Sequence, residues 1–217
     1  MEIIELPGLV LRTIAVSEMD NNVYLLTAAG GDQLLIDAAA EPEAIEALLA
    51  SAADDADAPV LRLLLTTHSH RDHLGALAAL ASAHPAAQTL AGAADADQIT
   101  AASGVPIART LRHGDVLTLG GLDLDVIGLR GHTPGSVALA YAPVGAPVQV
   151  FTGDSLFPGG VGNTGRDPQR FRSLFSDVVS RIFEVYPDDA VVWPGHGLPT
   201  TLGAERPHQG EWEARGW

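Results

Sequence analysis

An apolar run, Val60–Leu65, broken only by Arg62, leads directly into Thr66-Thr67-His68-Ser69-His70-Arg71-Asp72-His73. Three imidazoles and a carboxylate crowded into one short segment are poor material for a core and poor helix formers. A chain that carries them must set them at the open end of a buried strand, where something other than apolar packing satisfies them. In an extended segment His68 and His70 fall on one side, while Asp72 and His73 lie where the chain turns into the next helix. That pattern suits a divalent cation. Zinc takes about four ligands and keeps one position open when catalytic, so residues remote in sequence must join. The candidates follow strands and are flanked by glycine, which lets backbone come close to an ion: His132 in Gly131-His-Thr-Pro-Gly135, Asp154 in Thr152-Gly-Asp-Ser155, and His196 in Pro194-Gly-His-Gly197. Five of the eight histidines are used in this way; His84, His113 and His208 read as solvated or capping residues. Asp37, like Asp154, ends a strand, a position where aspartate also serves as a turn former.

Composition narrows the chemistry further. With no cysteine, thiolate nucleophiles, disulfides and sulfur-ligated metals are excluded, so any metal must be held by imidazole and carboxylate. All twelve basic residues are arginine, which rules out Schiff-base lysine chemistry. A formal charge of −15 disfavours a nucleic-acid substrate, whose affinity comes from neutralised phosphates. Met1–Pro7 has no basic, apolar leader and no apolar run reaches membrane-spanning length, so a cytoplasmic protein without membrane association is expected.

The order of elements points to a single domain over residues 1–217. Strands are expected at Leu9–Val16, Val23–Thr27 and Gln33–Ile36, with Gly30-Gly31-Asp32 as a hairpin turn. A helix follows from Pro42 to about Ala53, then the strand before the histidines, a helix from Leu74 to Ala83 and another over Ala94–Ser103. Further strands are expected at Val116–Leu119, Leu122–Leu129, Val137–Ala142, Val148–Phe151 and Ala190–Trp193. Pro168 opens the clearest helix, with Phe171, Leu174, Phe175, Val178, Val179, Ile182 and Phe183 in one apolar stripe. The tail reads as polar apart from Trp212 and Trp217, which pack on the chain's own surface or on a neighbour. Strands, helices, strands and a last helix fit two sheets with helices outside.

His68-Ser-His-Arg-Asp-His73, Gly131-His-Thr-Pro-Gly-Ser136, Thr152-Gly-Asp-Ser-Leu-Phe157 and Pro194-Gly-His-Gly197 together resemble the metallo-β-lactamase superfamily, and most closely its glyoxalase II-like branch. The resemblance runs from the Asn21-Asn22 strand to Arg206. It implies an α/β (α+β) four-layer αβ/βα sandwich with two divalent metal ions at one sheet edge, zinc in the first place, with iron and manganese as alternatives. It further implies that His68, His70 and His132 bind one ion, that Asp72, His73 and His196 bind the other, and that Asp154 bridges them. A metal-activated hydroxide would then attack a small thioester or ester, with Asp72 and Asp154 as catalytic carboxylates and Asp37 supporting an imidazole from behind. Glyoxalase II proper carries a basic C-terminal helical region for glutathione; this sequence runs to Trp217 and lacks lysine, which weighs against a glutathione thioester. Related small hydrolases place an arginine in the loop after the bridging aspartate, where Asn163 stands here; Arg166 is the candidate to replace it, the loop lining the substrate mouth. Three alternatives belong beside this reading: a mononuclear iron, persulfide-dioxygenase-like oxidoreductase, a nuclease of the superfamily, and a non-catalytic binding module.

Overall fold

The structure, a computed structural model, describes residues 1–216. Its first sheet has seven strands in sequence order: β1 (Glu2–Leu6), β2 (Leu9–Val16), β3 (Asn21–Ala28), β4 (Asp32–Ile36), β5 (Val60–Thr66), β6 (Gln88–Gly92) and β7 (Arg109–Leu111). Neighbours are antiparallel as far as β4 and parallel from β4 to β7. The parallel connections need crossovers, which α1 (Pro42–Ser51), α2 (Leu77–Ala83) and α3 (Ala96–Ser103) supply. The second sheet contains β8 (Val116–Leu119), β9 (Leu122–Gly128), β10 (Val137–Tyr141), β11 (Gln149–Gly153), β14 (Val191–Pro194) and β15 (Thr200–Thr201) in the order β15-β14-β11-β10-β9-β8. Only β11 and β14 are parallel there, and α4 (Pro168–Val178) lies in their crossover. A small hairpin, β12 (Leu156–Phe157) with β13 (Gly160–Val161), follows β11; α5 (Leu202–Glu205) and α6 (Gln209–Arg215) complete the described chain.

The two-residue period of the strands sorts side chains into three apolar layers. Along β3, buried throughout, Tyr24 and Leu26 enter the core between the sheets, where they meet Leu124, Leu139, Phe151 and Trp193 of the second sheet. Val23 and Leu25 face the other way, onto Ile45 and Leu48 of α1 and Leu77 and Leu80 of α2. In the second sheet the small Ala138 and Ala140 let Leu174 and Val178 of α4 approach closely, with Ile182, Phe183 and Trp212 completing the outer layer. The order is therefore helix, sheet, sheet, helix, the expected αβ/βα sandwich. Each buried Leu, Phe or Ile contributes on the order of 1.5–3 kcal/mol, so the pattern itself holds the layers together.

Helix α4 starts as its sequence suggests. Asp167 accepts hydrogen bonds from Gln169 N (2.8 Å) and Arg170 N (3.1 Å), and Pro168 occupies the first turn, where a missing N–H costs nothing. The apolar stripe continues past Val178 through a π-helical turn, Val179–Phe183, that keeps Ile182 and Phe183 on the buried side.

Several elements depart from the sequence reading. Strands β1, β6 and β7 had no expected counterpart: β1 is an edge strand with three of its five residues exposed, and β7 has three residues. The segment after the histidines begins with a 3-10 turn, Arg71–His73, and the helix proper starts only at Leu77. The tail folds into two helices, and α6 buries Trp212 on the chain's own outer layer with its ring 6.1 Å from Phe183. Trp217 lies outside the described residues. Among the described residues no helix is long and apolar enough to cross a membrane.

Candidate metal centre

The loops that leave the C-terminal ends of β4, β5, β9, β11 and β14 gather at one edge of the sandwich and deliver Asp37, His68–His73, His132, Asp154 and His196 to one place. Their donor atoms form three interlocking sets, each with its atoms within 4.8 Å of one another: His68, His70 and His132; His68, His73 and Asp154; Asp72, His73 and His196. All seven residues expected from the sequence as metal ligands are thus brought together.

The ring nitrogens show how the cluster is built. His68 Nε2 lies 3.2 Å from His70 Nδ1 and 3.3 Å from His132 Nε2, and His73 Nε2 lies 3.1 Å from His196 Nε2. The opposite nitrogens are occupied by acceptors. His132 Nδ1 donates to Asn163 O (2.7 Å), His196 Nδ1 to Met19 O (2.8 Å) and His73 Nδ1 to Asp37 Oδ2 (2.9 Å). Thr67 Oγ1 donates to Asp37 Oδ2 (2.8 Å) and is left to accept from His68 Nδ1 (3.0 Å). With these protons turned outward, the inward nitrogens present lone pairs to one another, an arrangement that only a cation or an added proton can satisfy.

Asp154 lies between the outer sets. Its Oδ1 is 3.4 Å from His73 Nε2, and its Oδ2 is 3.5 Å from both His132 Nε2 and His196 Nε2. That Oδ1 is buried and makes no hydrogen bond among the described residues. Gly195 is required beside it, because a methyl group there would overlap Asp154 Oδ1 and crowd His73. An unsatisfied buried carboxylate oxygen among convergent imidazole lone pairs, with no sulfur donor, fits a pair of divalent cations.

Protonation preferences point the same way. His68 is held well below the ordinary imidazole range by burial and then by His73, His132 and His70 around it. His132 is lowered as well, chiefly by burial. Burial also disfavours charge on His73, but Asp37, Asp154 and Asp72 outweigh it and raise the group. His196 is pushed up to about 9, first by its hydrogen bond to Asp154. Asp72 and Asp154 stay below the usual carboxylate range: burial opposes this, but Asn21 on Asp72, His196 on Asp154 and the nearby imidazoles prevail. The cluster seeks positive charge.

The supporting residues are mostly ones that the sequence did not single out. Asn21 Nδ2 donates to Asp72 Oδ2 (3.0 Å), and the amide of Asn22 holds the His196 loop through Pro194 O (3.0 Å) and Gly197 O (2.8 Å). Asp95, fully buried, accepts from Ser69 N (2.9 Å), Thr133 Oγ1 (2.5 Å) and Gly135 N (2.7 Å), tying the His68–His73 loop to the His132 loop. Arg170 of α4 clamps the His132 loop from outside, donating from Nε to Gly131 O (2.8 Å) and from its guanidinium to His132 O. These residues lack local signatures; only the fold makes them neighbours. Asn163 contributes its carbonyl to His132, while its side chain accepts from Gly165 N (2.8 Å) within the loop. Arg166, in a left-handed backbone conformation, lines a cavity of about 410 Å³ with Phe157 and Arg215. A larger cavity of about 550 Å³ opens onto the metal-binding cluster itself, lined by Ser69, His70, Gln98, His132, Thr133 and Arg170 among others. His84 pairs with Glu46 (2.9 Å) and His208 sits near Glu211 (3.5 Å), both away from the cluster.

A two-sheet sandwich with a histidine and aspartate cluster at the ends of its strands defines a class of metal-binding fold. The model of the metallo-beta-lactamase superfamily matches residues 16–213, and the chain belongs to that superfamily. A hydroxyacylglutathione hydrolase of Anaeromyxobacter dehalogenans (strain 2CP-C) is 39% identical over 173 residues, 77% of this chain and 60% of the relative. The hydroxyacylglutathione hydrolase GloC of Haemophilus influenzae is 30% identical over 161 residues, 67% of this chain and 73% of the relative. The chain thus spans 60% of the length of the first of these. Among solved structures, TTHA1623 in a di-iron-bound form is 34% identical with a TM-score of 0.69, over 90% of this chain and 96% of that one.

Proposed function

We propose that the protein hydrolyses a small thioester or ester with the help of two divalent metal ions, zinc first and iron as the alternative. The observation that carries this reading is the closure of seven donor groups into three interlocking sets beside an open cavity. In this reading His68, His70 and His132 hold one ion, Asp72, His73 and His196 the other, and Asp154 is shared. Bound there, the ions supply Lewis acidity and lower the pKa of water toward neutrality, which removes the need for a protein nucleophile. Asp72, kept ionised and fixed by Asn21, would help to orient a water. The cavity beside His70 and His132 receives the leaving group. Gln98, Gln169 and Thr133 line it with neutral hydrogen-bonding groups, and its arginine, Arg170, is already committed to two carbonyls. That lining suits an amide-bearing leaving group better than a free carboxylate. A small-molecule substrate in place of nucleic acid accords with the acidic composition.

The test is elemental analysis of protein purified without added metal, then a screen of thioesters, esters and lactams. About two metal equivalents and thioester or ester turnover are expected, with both lost in His132→Ala and Asp154→Ala. Retention of both ions and full activity in either variant would refute the assignment. One iron per chain together with oxygen consumption would favour the oxidoreductase alternative instead.

A further inference from the structure

Behind the His132 loop lies a second cavity, of about 320 Å³, whose charge runs against that of the whole chain. Arg112, Arg130 and Arg181, three of the twelve arginines in a protein of net charge −15, line it together with His113. Three carboxylates lie close by, and Asp95 is taken up by Ser69 N, Thr133 Oγ1 and Gly135 N. Asp177, almost fully buried, is shared by two guanidiniums: its Oδ1 takes Arg130 Nη2 (2.8 Å) and Arg181 Nη2 (3.1 Å), and its Oδ2 takes Arg130 Nε (2.9 Å). Arg181 Nη1 is fixed on Gly128 O (2.6 Å), so both arginines are held in place instead of sweeping through solvent. Asp115 accepts from the main-chain N–H of Arg112 (2.8 Å), and the guanidinium of Arg112 makes no ion pair among the described residues. With these carboxylates occupied, N–H donors on Arg130 and Arg112 remain unspent, facing a space large enough for a phosphate group. Planar guanidiniums pair with phosphate oxygens two bonds at a time.

The position matters as much as the charge. Pro134 lines both this cavity and the one that opens onto the metal-binding cluster, so the two adjoin at this loop. We propose that the Arg112, Arg130 and Arg181 cavity is a phosphate-binding subsite that receives the terminal phosphate of the substrate's thiol leaving group while the thioester lies at His70 and His132. The placement of the thioester rests on the function proposed above; the anion site itself does not.

Two measurements separate these parts. Calorimetric titration with inorganic pyrophosphate should show binding to the wild-type protein that weakens about tenfold in Arg112→Gln, the worth of one charge-assisted hydrogen bond. Arg112 is exposed and supports no carboxylate through its side chain, so this variant should fold as the wild type does; Arg130→Gln strips partners from buried Asp177 and serves only as a second comparison. No binding of pyrophosphate, or equal binding by Arg112→Gln, overturns the anion site whether or not any thioester is cleaved. Steady-state kinetics then compare S-acetyl phosphopantetheine with S-acetyl pantetheine. A lower KM for the phosphorylated thioester, rising about tenfold in Arg112→Gln with kcat unchanged and the unphosphorylated thioester unaffected, supports the placement. Equal KM values, or no turnover of either compound despite pyrophosphate binding, overturn the leaving-group assignment.

Discussion

Asp37 is where the site can be weakened without touching any of its seven donors. Its left-handed backbone (φ 59°) is one that asparagine tolerates, so Asp37→Asn changes chemistry with little change of shape. The carboxylate accepts three bonds, from Thr67 N (2.7 Å), Thr67 Oγ1 (2.8 Å) and His73 Nδ1 (2.9 Å). An amide keeps one oxygen for Thr67 N and presents N–H donors to the other two. The hydroxyl can rotate to accept. His73 cannot adjust so cheaply: to accept from the amide it must move its proton to Nε2, which removes its lone pair from the cluster. Loss of a charge-assisted hydrogen bond at a group 2% exposed costs about 1.5–3 kcal/mol, which is about ten- to a hundredfold in metal affinity. The loss should fall mainly on the set containing Asp72, His73 and His196, since His68 feels Asp37 only through Thr67. Competition with a chromophoric chelator should therefore show one equivalent bound nearly as in wild type and one weakened by that factor, with hydrolysis falling in step. Two equivalents of unchanged affinity would refute the idea that Asp37 sets the tautomer of His73.

Gly195→Ala should reduce bound metal and activity together while the protein still melts cooperatively, because the added methyl meets Asp154 Oδ1 and His73 and not the core; full metal content by elemental analysis would contradict this. Burial alone would raise Asp177, but Arg130 and Arg181 hold it below the ordinary carboxylate value. Its contribution to stability is therefore present above about pH 4 and is lost as pH falls through the depressed folded value. Thermal melts of wild type and Asp177→Asn should differ at pH 6 and converge near pH 2, and a gap that persisted at low pH would show that the pairing is not electrostatic.

How much could be read from the chain alone depended on how local each signal was. The stripe of α4 and the apolar runs of β3 and β5 are written into consecutive residues, and these elements appear where those runs placed them. Strands β1 and β7 are short or half exposed, so they exist because a neighbouring strand offers hydrogen bonds, not because their own residues insist. Helix α6 looked polar because one face meets solvent; Trp212 alone marks the other, and only the surface formed by Phe183 and Ile182 gives it somewhere to go. The candidate ligands were legible because imidazoles at that density, and glycine-flanked His and Asp after strands, have few other uses.

The sequence by itself determined the stock of donors: imidazole and carboxylate with no sulfur, each set just past the end of a strand. Tertiary structure decided which nitrogen of each ring turns inward, and through which partners. Asp37, Thr67, Asn163 O and Met19 O take the outward nitrogens, and Asn21 and Asp95 fix the loops from segments far away in the chain. A hydrogen bond is directional and acts over about 3 Å, so it is invisible until the backbone has brought its two ends together. Strand period and residue chemistry, by contrast, belong to the covalent chain and are present before it folds.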